Sequence, residues 1–111
     1  MRIYVPTTLE ELAAFVAAGE VPATAERYVA NDESEDSEYD ALAAAADDSA
    51  AQQQGRGRRV VVVADVPDPD AGFAVSRVDA VHADSAPVDL ASAHLPELGW
   101  YATQEIPDLL A

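Results

Sequence analysis

Cysteine and lysine are both missing from this chain of 111 residues. Without cysteine there is no disulfide framework and no thiolate chemistry, which fits a reducing, cytoplasmic setting. Without lysine there is no Walker-type phosphate loop. Long apolar runs are also missing: no stretch approaches the roughly 20 residues a membrane helix needs. Met1-Arg2 runs straight into Ile-Tyr-Val-Pro, with no export signal, so no membrane association is expected. Positive charge is scarce. Six arginines face 21 acidic residues, for a formal charge of -15. That balance repels a phosphate backbone and excludes nucleic acid as a partner. Arginine-only basicity and abundant alanine fit a GC-rich genome, while an Asp-rich surface also fits a salty cytoplasm.

What is present is organised around Arg58 to Pro67, Arg-Arg-Val-Val-Val-Val-Ala-Asp-Val-Pro. Four consecutive valines are stiff at χ1 and favour extended backbone. Apolar on both faces, they form an interior strand sheltered by helices. Arg2 to Pro6 reads as a first strand, closed by Pro6. Thr7 or Thr8 then caps a helix from about Leu9 to Ala18, with Glu10 or Glu11 completing a capping box and Gly19 ending it. Its stripe is Leu9, Leu12, Ala13 and Val16, with Phe15 beside it.

Ala25 to Ala30 is a second, weaker strand, and Asn31 to Ser37 an acidic solvated loop. Glu35 to Ala51 reads as an alanine-rich helix, with Tyr39, Leu42, Ala43, Ala46 and Ala50 on one face. Gln52 to Gly57 is a loop. Its Gly-Arg-Gly precedes a strand instead of following one, so it is no nucleotide fingerprint. Arg56, Arg58 and Arg59 read as a solvated basic cluster at the start of the strand. After a Pro/Gly turn, Phe73 to Ala83 pairs as a hairpin with the valine strand. A short helix near Leu90 to Ala93 and a final helix from Pro96, carrying Leu98, Tyr101, Ala102, Glu105 and Ile106, complete the chain.

These elements make one α+β domain over residues 1–111: a two-layer α/β sandwich, ordered β-α-β-α-β-β-α. It is a ferredoxin-like variant with a mixed, mostly antiparallel sheet of about four strands and helices mainly on one face. The opening Met1-Arg2-Ile3-Tyr4-Val5-Pro6-Thr7-Thr8-Leu9, the valine strand, and the ending Glu97-Leu98-Gly99-Trp100-Tyr101-Ala102-Thr103-Gln104-Glu105-Ile106-Pro107 resemble an uncharacterised family of small actinobacterial proteins. The resemblance is weakest across Val21 to Gly57. It implies an intracellular protein from a GC-rich actinobacterium and carries no activity with it.

Five residues are candidates for a ligand- or partner-binding surface. Trp100 falls at the margin of the final helix's buried face, where an exposed aromatic marks a binding surface. Tyr101 and Glu105, four apart, share one side of that helix. Asp65 ends the central strand, where α/β proteins often place ligand groups. His82 lies on the hairpin strand. His82 and His94, twelve residues apart, form no metal motif. Ser76, Ser85 and Ser92 have no nucleophile-elbow context. No cofactor, metal or catalytic constellation is expected. The chain reads as a non-catalytic binding or protein–protein interaction module using its C-terminal helix, with a protein partner or self-association. The alternative is a small enzyme acting on a metabolite through Tyr101, Glu105, Asp65 or His82.

Overall fold

The computed structural model describes residues 1–111. Strand β1 (Arg2–Thr7) leads into helix α1 (Leu9–Ala18), then β2 (Glu20–Val21), β3 (Tyr28–Val29) and helix α2 (Glu35–Ala51). Next come β4 (Arg56–Gly57), β5 (Val60–Asp65), β6 (Phe73–Ala74), β7 (Val78–Ala83), β8 (Val88–Asp89), β9 (Gly99–Ala102) and α3 (Ile106–Leu110). No helix is long and apolar enough to cross a membrane.

The fold is α+β, with three helices and a five-stranded sheet in the order β3-β1-β5-β7-β9. Two short ribbons, β2-β6 and β4-β8, flank it. Every pairing in the main sheet is antiparallel, so the mostly antiparallel character expected from the sequence is found without a parallel pair. Five strands in the order β3-β1-β5-β7-β9 depart from the four-stranded ferredoxin-like arrangement. Strands β3 and β5 bracket β1, and α2 connects them by crossing over it.

The valine strand lies third of five, and Val60, Val61, Val62 and Val63 have no exposed surface. Alternation sends its side chains to two cores. Val60 and Val62 join Ile3, Val5, Leu12, Ile106 and Leu109. Val61 and Val63 join Tyr4, Ala41, Ala45 and Ala46. Helices α1 and α3 therefore cover one face and α2 the other. This corrects the expectation of two layers with helices mainly on one face. A run of valines apolar on both sides needs two covers, and an alanine-rich helix supplies a thin one.

Helix α1 has the expected limits. Thr8 accepts from the Glu11 backbone N–H at 3.1 Å, and Gly19 closes the helix at φ 76°, in the left-handed region that glycine adopts freely. Its stripe is narrower than expected: Leu12 is buried, while Val16 is exposed.

Helix α2 also matches its limits but is rotated. Ala41, Ala45, Ala46 and Ser49 face inward, and Tyr39 is 70% exposed. Small side chains let α2 sit close to the sheet, where Ser49 Oγ donates to Thr7 O at 2.7 Å and accepts from Val60 N–H at 2.9 Å. The larger Tyr39 and Leu42 are left at its margin.

Pro6 does not end β1, which continues to Thr7. Its position without an N–H lies beyond the end of β3, whose pairing reaches only Ile3 and Tyr4. The Pro6 carbonyl accepts from Gln52 Nε2 instead.

The C-terminal third differs most from the sequence reading. Residues 90–93 form a turn after β8. The stretch expected as a final helix from Pro96 is strand β9, a 3₁₀ turn (Thr103–Glu105) and the five-residue α3. Leu98, Tyr101 and Ala102 fit helical spacing, but Gly99 and two adjacent aromatics suit a short edge strand equally well. The hydrogen-bonding groups of β7 settle the choice in favour of the strand.

Candidate functional site

Helix α2 lies over β3, β1 and β5 and leaves the β7–β9 end of its face uncovered. Between the helix margin and the segment 95–98 is a cleft of about 460 Å³. Tyr39, Leu42 and Asp47 line one wall, Leu95, Glu97 and Leu98 the other, with His82 and Arg59 also in the lining.

Register places Trp100 beside this cleft. Val61, His82 and Trp100 form one cross-strand row, and Val61 belongs to the core under α2, so all three point to that face. Trp100 is 62% exposed. Tyr101 points to the opposite face, against the other core.

The backbone of β9 is as informative as its side chains. Asp84 N–H donates to Arg59 O at 3.1 Å, so the even-numbered residues of β7 direct their N–H and C=O toward β5, and the odd-numbered ones toward β9. Trp100, opposite His82, and Ala102, opposite Ala80, then direct theirs away from the sheet. Ala102 agrees: its N–H is taken by Glu105 Oε1 at 3.0 Å. Trp100 has no strand beyond it, because β9 is an edge. Its N–H and C=O are therefore free to pair with another chain.

Arg59 and Asp84 make the floor of the cleft rigid. Arg59 Nε and Nη2 donate to Asp84 Oδ2 and Oδ1 at 2.9 and 2.7 Å, and Arg59 N–H adds a third bond to Oδ2 at 2.8 Å. Nη2 also donates to Pro96 O at 2.6 Å, fixing the segment that leads into β9. Both residues are buried, with Asp84 only 2% exposed. Arg59 is thus neutralised within the fold, which corrects its reading as part of a solvated cluster. The carboxylates of Asp47 and Glu97 are exposed and make no ion pair or hydrogen bond. Burial, and secondarily the charge of Arg2, lowers the His82 pKa, so the imidazole is neutral at pH 7.

The structure brings together two of the five sequence candidates, His82 and Trp100. Tyr101 lies on the other face. Glu105 is occupied as the acceptor for Ala102. Asp65 is at the far end of β5, 3.1 Å from the Met1 ammonium. Sequence reasoning missed Tyr39 as an exposed residue, Leu95 to Leu98 as a cleft wall, and Arg59 with Asp84 as a buried pair. One signal for the pair was available. Arg59 shares parity with the buried Val61, so its side chain had to enter the α2 face.

These features define an antiparallel α+β domain with one sheet end open beside an acid-rimmed cleft of mixed polar and apolar lining. The chain belongs to the family of unknown function DUF6912, whose model matches residues 1–110. The match spans the middle segment, where the resemblance seen in the sequence is weakest. Comparison with curated proteins and with solved structures finds no match.

Proposed function

We propose that the protein is a non-catalytic binding module that holds a segment of another protein at the β9 edge and the cleft beside it. The observation that carries this reading is Trp100. It is a large aromatic, 62% exposed, on a four-residue edge strand, with its own backbone N–H and C=O unpaired. Exposed aromatics at a groove are the side chains that most often supply interface energy. The dispersal of Tyr101, Glu105 and Asp65 away from His82 supports binding over catalysis, because no two of these four groups share the cleft. The module uses the edge strand, in place of the C-terminal helix expected from the sequence.

A photo-crosslinking residue at position 100 tests this in cells, with one at exposed Val16 as the control. The expected outcome is a discrete adduct of defined mass from position 100 and none from Val16. Equal adduct patterns at both positions, or none at either, contradict the reading.

A further inference from the structure

We propose that the segment bound at β9 is an extended, cationic peptide strand that pairs antiparallel with Trp100 and lays an arginine or lysine side chain against the indole. This rests on the binding reading above and adds the chemistry of the partner.

Geometry comes first. Because the Trp100 N–H and C=O both point outward, one antiparallel residue of an incoming strand can exchange two hydrogen bonds with it. Glu105 occupies the Ala102 N–H and so limits pairing to the Trp100 end of the edge. A residue paired with Trp100 extends the row Val61–His82–Trp100, and its side chain stands on the α2 face beside the ring.

Charge selects the occupant. Edge strands are usually protected by charged side chains, lysine above all, yet Gly99 to Ala102 carries none. A second copy of the chain brings another -15, which disfavours self-pairing at this edge. An acidic segment is repelled for the same reason. A basic strand is attracted over the whole surface. At the edge itself, its cation meets the indole face, with the unpaired carboxylates of Glu97 and Asp47 along the cleft. Arg59 offers no competing positive charge, since Asp84 holds it.

Trp100 is the only tryptophan in the chain, so its emission reports this site alone. The probe is a blocked heptapeptide, Arg-Val-Arg-Thr-Arg-Val-Arg, titrated alongside its glutamate counterpart and a copy N-methylated on the central backbone. The Arg peptide is expected to shift Trp100 emission saturably and protect the Trp100 amide from exchange. The N-methylated copy, of identical charge, is expected to bind about tenfold more weakly through loss of one edge hydrogen bond. The glutamate peptide is expected to give no shift. W100A, which removes the indole and keeps the backbone N–H, is expected to lose most of the peptide-dependent protection of the residue-100 amide, while V16A leaves binding unchanged.

Equal binding of the Arg and N-methylated peptides overturns strand pairing, since the attraction is then only general. Binding of the glutamate peptide overturns the charge argument. A concentration-dependent dimer that buries Trp100 in sedimentation assigns the edge to a second copy and also overturns the proposal. If position 100 crosslinks to a partner but the Arg peptide does not bind, the cationic-strand proposal fails and the binding reading stands. If neither occurs, both fail.

Discussion

A single imidazole shows how closely side-chain chemistry is tied to this sheet. His82 is half-buried in the row between Val61 and Trp100, and burial lowers its pKa below the ordinary value of about 6.5. The unfolded chain therefore takes up a proton, as pH falls through about 6.5, that the folded chain refuses. Stability due to neutral His82 is fully present above that pH. It declines below it until the folded imidazole itself protonates. The expected outcome is that the native protein loses more stability between pH 7.5 and 5.5 than H82Q, with both measured by urea unfolding. The many carboxylates titrate in both proteins and cancel in the comparison. Identical losses would show that His82 is as well solvated in the fold as out of it.

At the scale of elements, the Arg59–Asp84 pair joins the start of β5, the end of β7 and the Pro96 segment before β9. Removing one member of a buried, multiply bonded pair leaves an uncompensated charge, which costs about 3–5 kcal/mol. D84A is expected to lose about that much in urea unfolding. The double variant R59M/D84L is expected to lose less, because no charge is stranded, although the Arg59 N–H and Pro96 O still lose partners. A loss below about 1 kcal/mol in D84A would place the pair among surface ion pairs.

The elements also show what the sequence made legible. Helix α1 follows from caps that act within a few residues, at Thr8 and Gly19, and the limits of α2 follow from its run of strong helix formers, which Ser34 caps in the fold. The valine strand follows from four β-branched side chains in a row. The face of α2 did not follow, because alanine is small enough to be buried or exposed with little penalty. There the decision was made by Ser49, whose partners Thr7 and Val60 are distant in sequence. Strand β9 was missed for a similar reason. A four-residue strand has almost no internal signal, and its pairing partner β7 decided its form. Of the candidate site, Trp100 and His82 were legible as residue types. Their adjacency required the register between β7 and β9.

At the scale of the whole molecule, the sheet has two edges with different protection. The β3 edge is two residues long and runs into the acidic segment 31–37. The β9 edge is uncharged and carries Trp100 outward. At a formal charge of -15, general repulsion between copies opposes self-pairing at this bare edge. The β9 edge thus presents the unpaired N–H and C=O of Trp100 next to an acid-rimmed cleft.

Amide hydrogen exchange across the sheet of the isolated protein tests it most directly. Tyr101, whose N–H is directed to β7, is expected to exchange slowly, while the neighbouring Trp100 exchanges at close to the rate of an open loop. Slow exchange at Trp100 in dilute solution, or fast exchange at Tyr101, would contradict it.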